Sequence, residues 1–247
     1  MSEAKIRIGI GGWTYPPWRG VFYPEKMPQR QELEYASSQL GAIEINATFY
    51  GRQSPKSWEA WGKTAPDGFQ FAVKGSRYCV SRSKLAESAD SIANFFGQGF
   101  EALGPKLGPI LWQFAPFKHF VADDIAAFID LLPERLNGIA LRHAIEPRHD
   151  SFDDDKFFDL CRPRNIAVVI EDSDDYPTIE ADTADFAYAR LQRMSEDVPT
   201  GYDDAALYGF AAKARHWQKR GDAYIFMING AKVRAPSAAL ALQERLR

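Results

Sequence analysis

Eight short runs rich in apolar, β-branched and aromatic residues recur along the 247 residues, at 6–10, 42–45, 69–73, 109–114, 139–144, 167–170, 186–191 and 223–228. Several are almost continuously apolar rather than alternating, the pattern of parallel strands covered on both faces. A parallel strand reaches its neighbour only through a long crossover. The runs start about 20 to 40 residues apart, which leaves room for a helical return in most intervals. The spacing therefore predicts an α/β fold: a single (β/α)8 TIM barrel over residues 1–247, a parallel eight-stranded barrel with some irregular helical returns. Such a barrel takes about 250 residues, so little chain remains for a second domain. A doubly wound open sheet is the alternative, but it normally uses fewer strands and often opens on a Gly-rich phosphate turn. Here Gly9-Ile10-Gly11-Gly12 runs into Trp13, Thr14 and Tyr15, bulky residues that keep the backbone away from a pyrophosphate.

The returns are legible to different degrees. Residues 29–40 place Leu33, Ala36 and Leu40 on one helical face and stop at Gly41. Ser54 and Pro55 supply an N-cap and a first-turn proline ahead of Trp58 and Trp61. Asp123 and Asp124 open a run holding Ile125, Phe128, Ile129 and Leu132 that Pro133 closes. Asp203 and Asp204 open another, with Leu207, Phe210 and Trp217, that ends at Gly221. Residues 237–246 read as a terminal helix. The stretch 172–185, rich in Asp and short, is the weakest return.

At 45% hydrophobic and 26% charged residues, the composition is that of a globular protein, which excludes fibrous and disordered readings. Thirty Lys and Arg stand against 33 Asp and Glu, a formal net charge of −3. That argues against global attraction to nucleic acid or an anionic membrane and leaves only local basic patches. The first residues carry no basic and apolar leader, and no run approaches 18 apolar residues, so no membrane span is expected. Cys79 and Cys161 are far apart and form no CxxC pair, as in a reduced, cytoplasmic protein. Nothing in the pattern speaks to oligomeric state.

In a barrel, function sits where strands run into the loops that follow them. Those positions collect Trp13 and Tyr15, then Glu44, Asn46, Phe49 and Tyr50, then Lys74 and Gln113. After these come Glu146, Arg148 and His149, Glu171 and Asp172, Arg190 and Gln192, and Asn229. Polar groups at the ends of apolar strands are costly unless paired or solvated, so they mark either a binding site or a ring of ion pairs closing the barrel. The candidate catalytic groups are Lys74, Glu146 and Glu44. A desolvated Lys74 could act as a base or Schiff-base nucleophile; its plainer role is an ion pair with Glu44 or Glu146, or anion binding. The two glutamates could form an acid/base couple or simply compensate Lys74, Arg148 and Arg190. Candidate ligand-binding residues are Trp13, Tyr15, Asn46, Tyr50, Gln113, Arg148, His149, Asp172, Arg190 and Asn229. The aromatics would stack a planar or sugar-like ligand beside cations that take its phosphate or carboxylate, whereas Phe22 and Phe49 read better as loop packing. Glu44, Glu146, His149 and Asp172 would suit Mg or Mn. With four histidines and no HxH or HExxH spacing, neither a metal site nor a cofactor is expected, and a divalent metal stays a minor alternative. His143, His119 and His216 read as structural. There is no GxSxG elbow and no Walker loop.

Seven blocks in consistent order, GGWTYPPWRGVFYP (11–24), EINATFY (44–50), FAVKGSRY (71–78), LGPILWQF (107–114), IEPRHDSF (145–152), VVIEDS (168–173) and YARL (188–191), resemble the YecE-like family, the domain of unknown function 72 proteins. The resemblance covers nearly the whole chain and implies a TIM barrel with a site at its mouth, but no reaction. Trp13, Tyr15, Glu44, Asn46, Phe49, Tyr50, Lys74, Gln113, Glu146, Arg148, His149 and Asp172 fall on the family pattern. Where the family commonly reads R-L-H-G, this chain has Arg190-Leu191-Gln192-Arg193. Where it often reads N-N-D, this chain has Ile228-Asn229-Gly230. Pro147, Asp150 and Phe152 replace the usual aromatic, proline and tryptophan. The expected function is that of a cytoplasmic enzyme acting on a small anionic, phosphorylated or sugar-like substrate by acid/base chemistry. The alternatives are a noncatalytic small-ligand-binding barrel and a nucleic-acid-binding or -processing protein, the latter on fold analogy to endonuclease IV alone.

Overall fold

The computed structural model describes residues 3–247. Its strands are β1 (Ile6–Gly11), β2 (Ala42–Ile45), β3 (Gln70–Lys74), β4 (Leu107–Gln113), β5 (Arg135–Leu136), β6 (Ile139–Ala140), β7 (His143–Glu146), β8 (Ile166–Val168), β9 (Ile170–Asp172), β10 (Ala187–Leu191) and β11 (Ala223–Met227). Nine of them form one sheet in the order β8-β7-β4-β3-β2-β1-β11-β10-β9, paired in parallel throughout. The two ends of that order, β8 and β9, are consecutive in the chain and separated only by Val169. The first half pairs with β7 and the second with β10, and Val169 N–H donates to Ile145 O at 2.8 Å across the break. The sheet thus closes on itself through one interrupted strand, which gives the eight-stranded TIM-type barrel the runs predict.

One run divides differently. Residues 139–140 pair antiparallel with Arg135–Leu136 in a small hairpin, and the barrel strand begins only at His143. The reason is Asn137-Gly138, both at positive φ (47° and 86°), the turn that a right-twisted two-residue hairpin requires.

The expected returns form helices at Glu32–Gln39, Pro55–Thr64, Ala122–Asp130, Asp204–Gln218 and Ala235–Leu246. Ser54 accepts from Ser57 N–H and Asp203 from Ala206 N–H, capping two of them. Asp155–Cys161 forms a further helix between β7 and β8, capped by Asp154. Between β9 and β10 the chain stays irregular, as its Asp-rich composition suggests. Among the described residues no helix is long and apolar enough to cross a membrane.

Side-chain alternation produces two cores. Ile43, Ile45, Phe71, Val73 and Ile145 point outward into the layer under the helices. Ala42, Ala72, Leu111, Ala144, Ala167, Val169, Tyr188, Tyr224 and Phe226 fill the barrel interior. Small residues on β2, β3, β7 and β8 face aromatic ones on β10 and β11, which leaves no lumen. At the N-terminal end Arg7 and Arg142 both pair with Asp222 at 3.0 Å. The open end is therefore the opposite one.

Candidate functional site at the barrel mouth

The alternation that places Ala42, Ala72, Ala144, Val169 and Tyr188 inside the barrel also turns inward the residue two positions further on. Those residues are Glu44, Lys74, Glu146, Glu171 and Arg190, all buried. One interior layer thus holds five ionisable groups, and Arg190 organises it. Its Nε donates to Glu44 Oε2 and its Nη2 to Glu44 Oε1, both at 3.1 Å, while Nη1 donates to Glu146 Oε2 at 2.8 Å. The Tyr188 hydroxyl donates to Glu44 Oε2 at 2.7 Å. Gln113 Nε2 reaches both Glu146 oxygens at 2.8 Å, and Arg148 Nε donates to Glu146 Oε1 at 2.6 Å. Glu171 Oε1 lies 3.7 Å from Arg190 Nη1, and the Gln192 amide donates to Glu171 Oε2. Asn229 Nδ2 in turn donates to Gln192 Oε1 at 2.7 Å.

The carboxyl groups of this layer differ in charge. Burial, together with the charge and hydrogen bond of Glu146, pushes Glu171 well above the usual carboxylate range. Burial opposes the Glu146 anion as well, but Arg190, the hydrogen bond from Glu171 and Arg148 outweigh it and hold Glu146 low. Glu171 is accordingly the neutral partner. Its Oε1 is buried with no hydrogen-bond partner, which leaves that oxygen free to carry the proton. Burial likewise opposes charge on Arg190, and the anions Glu146 and Glu44 more than restore it.

Above this layer opens a cavity of about 600 Å³. Its charged lining consists of Lys74, Arg148, Arg190 and Lys232, with no carboxylate. Trp13, Trp18, Phe49, Tyr50 and Trp61 supply the aromatic wall, and Asn46, Gln113 and Asn229 the amides. Trp13 is wedged edge-on between Trp61 and Phe71, with ring centroids 5.0 and 6.3 Å away. Arg148 is stacked on Tyr176, its guanidinium carbon 4.0 Å from the ring centroid, so the irregular β9–β10 segment fixes this cation. Lys74 ends β3, where Thr48 Oγ1 donates to its carbonyl at 2.6 Å. Its Nζ lies 4.5 Å from the Phe49 centroid and, among the described residues, makes no ion pair. Burial lowers its pKa from 10.5 to about 8. Arg190 and Arg148 push the same way, and Glu44 and Glu146 resist.

Eight of the candidates read from sequence meet around the cavity: Trp13, Asn46, Tyr50, Lys74, Gln113, Arg148, Arg190 and Asn229. Glu44 and Glu146 lie beneath its floor, fully buried, because Arg190 competes successfully with Lys74 for both carboxylates. Tyr15, His149 and Asp172 stand outside the lining. Tyr15 packs on Trp18 with centroids 5.3 Å apart. His149 caps the turn at Asp150–Phe152, its Nδ1 accepting from Ser151 N–H at 3.1 Å, with its ring 3.8 Å from that of His119. Asp172 is taken by Arg193 Nε and the Tyr202 hydroxyl, each at 2.8 Å. Glu44, Glu146, His149 and Asp172 therefore do not converge as a ligand set. Among the described residues no group of three or more His, Cys, Asp or Glu could hold a metal ion. Sequence reasoning missed Tyr188 and Lys232. Tyr188 was signalled by its place two residues before Arg190 on one strand face. Lys232 had no such signal, since it lies on a turn beyond the last strand.

The family model described as "Protein of unknown function DUF72" matches residues 7–247. The UPF0759 protein YunF of Bacillus subtilis is 29% identical over 126 residues, 49% of this chain and 44% of that protein. The chain thus matches a little under half the length of that curated relative. A DUF72 family crystal structure from Thermotoga maritima superposes with a TM-score of 0.76 at 22% identity, covering 97% of each chain. Another from Enterococcus faecalis gives 0.74 at 17% identity, covering 98% of this chain and 95% of that one. These likenesses extend to the fold.

Proposed function

The chain belongs to the DUF72 family, and from that premise we propose that it is an enzyme acting on a small anionic substrate, phosphorylated or sugar-like, held in the barrel mouth. The observation that carries this reading is the vertical separation of charge. Carboxylates lie buried beneath the floor, and only cations line the cavity above. An anion entering meets Lys74 and Arg148 without facing a carboxylate, in a partly desolvated space where such contacts are strong. Trp13 and Tyr50 supply flat apolar surface for the body of the substrate.

Lys74 is the proton-transfer group in this reading. An amine with a pKa near 8 divides between base and acid close to neutral pH, as general acid–base catalysis requires. The ammonium that holds the anion gives up a proton as negative charge develops on the substrate, and the neutral amine so formed is reprotonated from solvent. Glu44 and Glu146 act as positioning residues: they hold Arg190 and, through Glu146, Arg148. No cofactor enters this scheme.

The full burial and ion pairing of both glutamates favours a second reading, a noncatalytic ligand-binding barrel. Calorimetry with sulfate, which keeps its charge across the range, and a turnover screen of phosphorylated sugars and small carboxylates separate the two. The enzyme reading expects sulfate affinity to fall as pH rises through about 8, at least tenfold weaker binding in Lys74→Ala, and turnover that the same substitution abolishes. Binding without turnover across the screen would leave the noncatalytic barrel. Sulfate affinity untouched by both Lys74→Ala and Arg148→Ala would sink the anion site itself.

A further inference from the structure

The four cations of the cavity are not equivalent. Arg190 spends its donors on Glu44 and Glu146, and Arg148 is half committed to Glu146. Lys74 and Lys232 have no carboxylate partner among the described residues. They also stand apart. Lys74 ends β3 and Lys232 follows β11, three strand positions away around a ring of eight. The charges acting on Lys74 include Arg190 and Arg148. Partial burial of its stem lowers the Lys232 pKa.

Lys232 is nevertheless held in place. Trp18 Nε1 donates to the Lys232 carbonyl at 2.9 Å, tying the turn after β11 to the loop after β1. Its ammonium lies 4.6 Å from the Tyr15 centroid and 5.8 Å from that of Trp18. Cation–π contact orients an ammonium without neutralising it, so the charge remains available to a ligand.

Resting on the anion-binding reading above, we propose that the substrate class carries two anionic groups, one at each end. Lys74 and Arg148 grip the first beside Gln113, Lys232 takes the second, and the body between them lies along Trp13. A ligand with a single anionic group uses only one pole and leaves the exposed Lys232 to solvent, whereas a second group adds a charge-assisted contact at the rim.

Calorimetry with α,ω-alkane bisphosphonates of about three to six carbons, each against the monophosphonate of equal length, tests this. The wild type should bind the best-matched bisphosphonate at least tenfold more tightly than its monophosphonate, roughly one added charge-assisted contact. Lys232→Ala and Lys232→Gln should bring that ratio to within about twofold of unity, with melting temperatures confirming the fold. A ratio near unity in the wild type, or one that survives both Lys232 substitutions, overturns the inference while leaving the anion site standing. Failure of every phosphonate to bind would instead overturn the anion site beneath it.

Discussion

Glu146 and Glu171 are the same residue type in the same interior layer, yet their roles follow from a single proton. Glu146 carries the charge that Arg190 and Arg148 need, and Glu171 serves as a neutral hydrogen-bond donor. Glu171→Gln preserves that donor, and its amide oxygen can still accept from Gln192. Urea unfolding at pH 7 should place this variant within about 1 kcal/mol of wild type. Glu146→Gln leaves the buried Arg190 and the half-buried Arg148 short of an anion and should cost roughly 3–5 kcal/mol. Equal losses in the two would refute the assignment. The signs of the pH dependence also differ. Glu146, held low, contributes stability above about pH 4.5 that is lost as pH falls. Glu171, held high, contributes below that value and is lost as pH rises. His143 gives a third residue-scale expectation. Its Nδ1 accepts from Trp112 Nε1 at 3.1 Å and its Nε2–H donates to Pro133 O at 2.8 Å, with burial lowering its pKa from 6.5 to about 4. A depressed histidine contributes stability above pH 6.5 that is lost as pH falls toward 4, about 3 kcal/mol in all. Between pH 6.5 and 4.5 the wild type should lose stability more steeply than His143→Gln, as paired urea titrations would register.

At the scale of elements, the strands were readable because parallel strands buried on both faces write themselves as apolar runs. The loading of the mouth was readable only in part. Ala42-x-Glu44, Ala72-x-Lys74, Ala144-x-Glu146 and Tyr188-x-Arg190 repeat one pattern, an interior filler followed two residues later by a charge. Period two fixes that all four charges share a layer. It does not fix which cation wins which carboxylate, because that depends on reach across the barrel between residues 146 and 44 positions apart. The hairpin at 135–140 reads as part of the strand run 139–144, its Asn137-Gly138 turn signal masked by the apolar residues that follow, whereas the capture of Asp172 by Arg193 and Tyr202 is a contact between loops that no period encodes. Gly75, directly after Lys74, ties the strand end to packing. A Cβ there would lie 2.4 Å from the fully buried Trp112 ring, which has nowhere to move. Gly75→Ala should therefore displace the end of β3, destabilise the fold by roughly 1–3 kcal/mol and weaken sulfate binding at Lys74. Thermal unfolding and calorimetry on the one variant check both. Unchanged sulfate affinity would mean that the Lys74 backbone does not set the site.

For the whole molecule, charge is distributed by depth. The net charge is only −3, but the cavity lining is purely cationic. The field that an anion meets depends on its size, since a small ion inside the mouth feels the local cations and a long polyanion outside feels the overall negative charge as well. A volume of about 600 Å³ suits a metabolite-sized ligand and not an extended chain. These facts weigh against the nucleic-acid alternative and make it testable. A labelled single-stranded oligonucleotide of about 20 nucleotides should bind more weakly than about 10 µM at 150 mM salt, near the non-specific range. Millimolar sulfate should not displace it beyond the ionic-strength effect matched with chloride. Tight binding with a steep salt slope, abolished by Lys74→Ala, would reverse this conclusion and make the mouth the seat of a phosphodiester contact. Weak binding indifferent to Lys74 would leave the cavity to small anions, with the surface charge acting as the filter that keeps polyanions out.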